Sequence, residues 1–142
     1  MGCLLGIDYG SKRIGLAISD AARRIAMPLS TIDATSDHAD NAAAILDVAK
    51  EHEVDGFVVG LPLNMDDSEG PQARVIRAFG RQLVGAAEKP VHFQDERLSS
   101  ATADELLQPA ELTHRKHKAR RDRVAAQVIL QQFLDEHVDR AE

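Results

Sequence analysis

Acids stand at three places in this chain where an acid is costly: Asp8, the pair Asp95-Glu96, and Asp122. Asp8 follows the apolar run Cys3, Leu4, Leu5 and Ile7. A carboxylate at the end of such a strand has lost much of its water and needs a partner or a metal. Asp95-Glu96 ends a second strand-like run, Pro90 to Gln94. Asp122 shares a helix face with Ala126, Ile129 and Phe133, so its apolar neighbours point it inward. Singly, each has a plain explanation. Asp8 could accept from the turn amides of Gly10 and Ser11, Asp95-Glu96-Arg97 could be a charged turn, and Asp122 could pair with a nearby Arg or favour a helix N-terminus. Together they suggest a site. In a mixed sheet the first and last parallel strands can be neighbours, with their C-terminal ends side by side where open sheets place ligands. Asp8, Glu96 and Asp122 would meet there and raise each other's pKa. Hard oxygen ligands of this kind suit Mg²⁺ or Mn²⁺. Two such ions about 4 Å apart can activate water and stabilise a leaving oxygen in phosphodiester cleavage. No His-Cys cluster offers a zinc site.

The elements that must deliver these acids are legible in outline. Cys3 to Ile18 reads as two apolar runs joined by a Gly10-Ser11-Lys12 turn, an antiparallel hairpin. Arg24 to Ile32 is a third strand, and Pro28 within it predicts an edge position or a bulge. A cap at Thr35-Ser36-Asp37 opens a helix over Ala39 to His52. Asp55 to Gly60 reads as a buried parallel strand. The loop Leu61 to Gly70 follows, then a helix over Gln72 to Ala87 and the strand ending at Gln94. Ser99 or Ser100 caps a further helix that Pro109 ends, and a last helix runs from about Ala119 to His137. Tight joins among the first three strands predict antiparallel pairing, and helical crossovers predict parallel pairing later. The expected fold is an α/β five-stranded mixed sheet with helices on both faces.

With 142 residues, 44% of them hydrophobic and 28% charged, the chain suits a single globular domain over 1–142. One Cys excludes an intrachain disulfide and suits a reducing, cytoplasmic setting. The first apolar run is broken at Asp8, too short for a signal peptide or membrane span. The net charge of −6 argues against nucleic acid as a partner, yet six of the 17 Lys and Arg lie between Arg115 and Arg123. A local basic patch on an acidic protein can bind phosphates.

Four segments in this order, GIDYGSKRIGLAISD, VVGLPLNMD, DERLS and RRDRVAAQVILQQFL, resemble the YqgF (RuvX) family over nearly the whole chain. That family is described as pre-16S ribosomal RNA nucleases and as Holliday junction resolvase-like. The resemblance implies an RNase H-like fold and a cytoplasmic, divalent-metal nuclease acting at the 5′ end of 16S RNA. It carries the catalytic and metal roles onto Asp8, Glu96 and Asp122, with Asp95 the alternative to Glu96. Lys12, Arg13, Arg97, Lys116, Lys118, Arg120, Arg121 and Arg123 are the expected contacts to nucleic acid. Partners would be the ribosomal precursor RNA or branched DNA, with ribosomal particles beyond them, and the protein a monomer or homodimer. Asp67 stands where the family usually has Gly, and Ser100 where it more often has Thr. Two other readings compete. The basic stretch also suits a non-catalytic nucleic-acid-binding assembly factor, and the turn from Asp8 to Lys12 resembles the first phosphate loop of sugar kinases and actin-like ATPases.

Overall fold

The computed structural model describes residues 2–64, 66–96 and 114–137, with side chains of the last segment from 122 onward. Eight elements follow one another: β1 (Cys3–Tyr9), β2 (Arg13–Ser19), β3 (Ala26–Asp33), α1 (His38–Glu51), β4 (Val54–Leu61), α2 (Pro71–Ala87), β5 (Val91–Asp95) and α3 (His114–His137). The helix expected between Ser99 and Pro109 lies outside the described residues. The five strands form one sheet in the order β3-β2-β1-β4-β5. The first three pair antiparallel, and β1, β4 and β5 run parallel, as expected.

The apolar β1 is the central strand, hydrogen-bonded on both sides. Pro28 sits on the edge strand β3, and the β2–β3 register shifts opposite it, between Leu16 and Ala17. A missing N–H is tolerated there because one side of the strand has no ladder to complete. Helices cover both faces. On one, Leu5, Ile7, Ile14, Phe57 and Val59 pack against Ile45 of α1 and Ile76, Phe79 and Leu83 of α2. On the other, Leu4, Ala17 and Val58 pack against Ala126, Ile129, Leu130 and Phe133 of α3.

Strand alternation therefore assigns each β1 side chain to a face. Tyr9 goes to the α1/α2 side, where its ring stacks on Phe79 at 3.9 Å between centroids. Its hydroxyl accepts from Asn41 Nδ2 at 2.7 Å and meets His38 Nδ1 at 2.7 Å. It is 7% exposed, so it is a packing residue and not a platform for a base. Asp8 goes to the opposite face, under α3.

The last helix starts at His114, earlier than the sequence expectation of Ala119. The basic stretch contains neither Gly nor Pro, and Lys, Arg and Ala all favour helix, so nothing stops the helix from extending through it. In the loop after β4, Asp67 has φ 69°, a left-handed conformation. Asp tolerates that region better than most residues, so it keeps the turn a Gly would make. The loop closes on itself: Asn64 Nδ2 donates to Ser68 Oγ, and Ser68 Oγ to Asp66 Oδ1.

Candidate active site

Asp8 lies near the C-terminal end of β1, opposite Gly15 of β2 in the antiparallel register. On its other side Ile7 pairs with Val59 of β4, which puts Asp8 abreast of Gly60. Each neighbouring strand thus offers a glycine beside the acid, and each glycine is overlain by another acidic residue. A methyl added at Gly60 would meet the Glu96 carboxylate, and Ile129 Cδ1 at 2.7 Å. A methyl added at Gly15 would meet the main-chain carbonyl of Asp122, and Asp122 Cβ at 3.1 Å. Ile129 and Asp122 both belong to α3, so all three acids are on one face of the sheet.

The route by which they gather differs from the sequence expectation. The first and last parallel strands are not neighbours, because β4 lies between β1 and β5. Glu96 reaches the centre by extending over β4 where Gly60 has no side chain to block it. Its backbone N–H donates to the Leu61 carbonyl at 3.2 Å, which continues the β5 ladder one residue beyond the strand. Alternation along β5 also separates the two candidate acids. Phe93 points to α2, where it lies 2.6 Å from the place a Gly80 methyl would occupy. Asp95 follows Phe93, whereas Glu96 falls on the Asp8 side with Gln94.

Burial is the main cause that pushes the Glu96 carboxyl up from 4.5 to about 7, and the negative charges of Asp8 and then Asp95 add to it. Desolvation and like-charge repulsion both disfavour the ionised form. Near neutral pH the protonated and ionised forms of Glu96 are therefore both populated.

Asp122 has a different partner. Its Oδ2 accepts from Arg13 Nε at 2.7 Å in a partly buried ion pair. Sequence alone suggests a nucleic-acid contact for Arg13 and a nearby Arg as the plain partner of Asp122. The actual pair spans 109 positions. The available signal was parity, since Arg13, Gly15 and Ala17 alternate onto the face that α3 covers. The turn preceding Arg13 is closed by Gly10 N–H donating to the Arg13 carbonyl at 3.1 Å, so that amide is committed within the hairpin and not to Asp8. Lys12 is exposed, and Arg123 is half-buried beside Asp122. Arg97 and the side chains of Lys116, Lys118, Arg120 and Arg121 lie outside the described residues.

Among the described residues no three His, Cys, Asp or Glu side chains are grouped as ligands of one ion. The donors present nonetheless suit a hard cation. They are oxygen only, Asp8 and Glu96 lie at the C-terminal ends of parallel strands, and the repulsion between them is what a divalent ion relieves.

The seating of α3 on β2 is testable. Gly15→Ala puts a methyl against main chain, which cannot rotate away as a side-chain tip can. We expect a loss of about 2–3 kcal/mol of stability in denaturant unfolding, in the range of overpacked sites. An unchanged midpoint would mean that α3 does not rest on Gly15.

The sequence matches the model of the RuvX family, described as Holliday junction resolvase, over residues 2–136. A protein of Cereibacter sphaeroides with the provisional name pre-16S rRNA nuclease is 46% identical over 134 residues, covering 94% of this chain and 83% of that one. A protein of Anaeromyxobacter dehalogenans with the same provisional name is 46% identical over 131 residues, covering 92% and 95%. Among solved structures, T. thermophilus RuvC in complex with a Holliday junction substrate superposes with a TM-score of 0.60 at 14% identity, covering 98% of this chain and 97% of that chain. That likeness is one of fold, and it agrees with the RNase H-like architecture implied by the family resemblance.

Proposed function

Because this chain belongs to the RuvX family, we propose that it is a metal-dependent nuclease that hydrolyses phosphodiester bonds, with the 5′ end of pre-16S ribosomal RNA as its substrate. The observation that carries this reading is the approach of Glu96 to Asp8 over Gly60, with the Glu96 carboxyl lifted to about 7. Here burial and two other acids oppose the charge, the pattern of a group adapted to a task.

Asp8, Glu96 and Asp122 would hold Mg²⁺ or Mn²⁺. When bound, such an ion supplies Lewis acidity at a phosphoryl oxygen and lowers the pKa of its water. Asp8 and Glu96, at the C-terminal ends of β1 and β5, would supply the oxygens that hold the ion. The start of α3 carries Lys116, Lys118, Arg120, Arg121 and Arg123, which attract the nucleic-acid backbone, joined by Lys12, Arg13 and Arg97. Contacts of this kind position a strand without reading its sequence. Specificity for one end of one RNA then depends on its shape and on the ribosomal particle around it. The cytoplasm is the compartment where that precursor and a free Cys3 thiol coexist.

Incubating the chain with a 5′-extended 16S transcript and with a four-way DNA junction, each with Mg²⁺, Mn²⁺ or a chelator, tests the reading. Trimming of the transcript only when metal is present is the expected result. Junction cleavage with intact RNA would move the substrate to branched DNA. Binding without cleavage under either ion would leave a passive assembly factor.

A further inference from the structure

We propose that Arg13 stands in for the metal: its guanidinium holds the Asp122 carboxylate in the free protein and releases it when a divalent cation and a substrate phosphate arrive. This rests on the metal-dependent reading above. Four observations lead to it. Asp122 is anchored beside the site by its main chain, which lies on Gly15, the register partner of Asp8. Its carboxylate nevertheless faces Arg13 Nε at 2.7 Å. Among the described residues it joins no three-acid group with Asp8 and Glu96. The pair is only partly buried, with side chains 31% and 23% exposed, so an exchange of partners does not require unpacking the core.

The chemistry of the exchange is symmetrical. A guanidinium fork matches a phosphate as well as a carboxylate. Beside a divalent ion, the Arg13 guanidinium would be repelled and the Asp122 carboxylate would have a stronger partner. The phosphate of the incoming strand offers Arg13 its replacement. Asp122 and Arg13 would thus be re-paired in a single event, and no isolated charge is left behind. Without substrate the site binds metal weakly, because the ion must displace Arg13 unaided. Arg13 is in this account a positioning residue for Asp122 and a phosphate contact in turn.

Mn²⁺ binding to the full chain, followed by electron paramagnetic resonance without nucleic acid, separates the possibilities. Arg13→Gln should bind Mn²⁺ about tenfold tighter than the unaltered chain, a coupling of ordinary size for contacting residues. Asp122→Asn should bind it more weakly, and adding Arg13→Gln to Asp122→Asn should give no gain. A gain that persists in the double variant would show mere removal of a positive charge and overturn the exchange. Unchanged affinity in Arg13→Gln would overturn it as well. If the unaltered chain and Asp8→Asn take up Mn²⁺ equally or not at all, the metal reading itself fails, and the exchange fails with it.

Discussion

Asp8→Asn is expected to lower metal-supported cleavage by about three orders of magnitude or more, the scale seen when one member of a cooperating catalytic set is removed. Asn keeps the shape of the side chain and one oxygen but loses the charge. Asp8 sits on the central strand, flanked by Gly15 and Gly60, so no other described side chain on those two strands can take its place. The variant should fold at least as well as the unaltered protein. Its removed charge is one of those that oppose ionisation of Glu96, so the remaining carboxyl is relieved. A loss of cleavage with an unchanged or raised melting temperature is therefore the signature of a functional acid. Retained cleavage would exclude Asp8 from the chemistry, and a lowered melting temperature would mark it as structural.

Glu96→Gln should stabilise the metal-free protein at pH 8 by about 2–4 kcal/mol, raising its melting temperature by roughly 10 °C. The sign follows from proton uptake. The folded Glu96 carboxyl titrates near 7, mainly through burial and then through Asp8 and Asp95, against 4.5 ordinarily. Between those two values the unfolded chain has released its proton while the folded chain retains it, so stability falls as pH rises. Below about pH 4 both states are protonated and the variant has no advantage. Above about 7 the folded state carries the whole cost of the buried charge. Gln removes that cost at every pH. Added Mn²⁺ should reverse the ranking, since an ion that binds only the folded unaltered chain stabilises it by mass action. An equal difference between the variant and the unaltered chain at pH 4 and pH 8 would show that Glu96 is not held against its charge. Chemical unfolding at the two pH values, with and without Mn²⁺, measures all of this.

Local physics made much of the fold legible. The apolar run of β1 argued against an edge, Pro28 called for an edge or a bulge, and tight joins against helical crossovers gave the mixed pairing. The inward face of Asp122 followed from the spacing of Ala126, Ile129 and Phe133. What was not legible depended on distance along the chain. Nothing in the residues around Asp95-Glu96 says that β4 will lie between them and Asp8, or that Gly60 will be the gap in it. Arg13 could be assigned to a face by alternation, but not to an acid on a helix a hundred positions later. Which of Asp95 and Glu96 faces Asp8 is readable only from the observed end of β5, because a slip of one residue exchanges the two faces.

The close seat of α3 on Gly15 has a mechanical consequence. With main chain resting on main chain at Asp122, the helix has its fulcrum there. The eight residues from His114 to Arg121 continue the helix beyond that contact, about 12 Å of it given the rise of an α-helix. A nucleic-acid backbone docked on that basic segment would bear on the same contact, and Asp122 is itself an acid of the proposed centre. Docking and alignment of that carboxylate then share one lever.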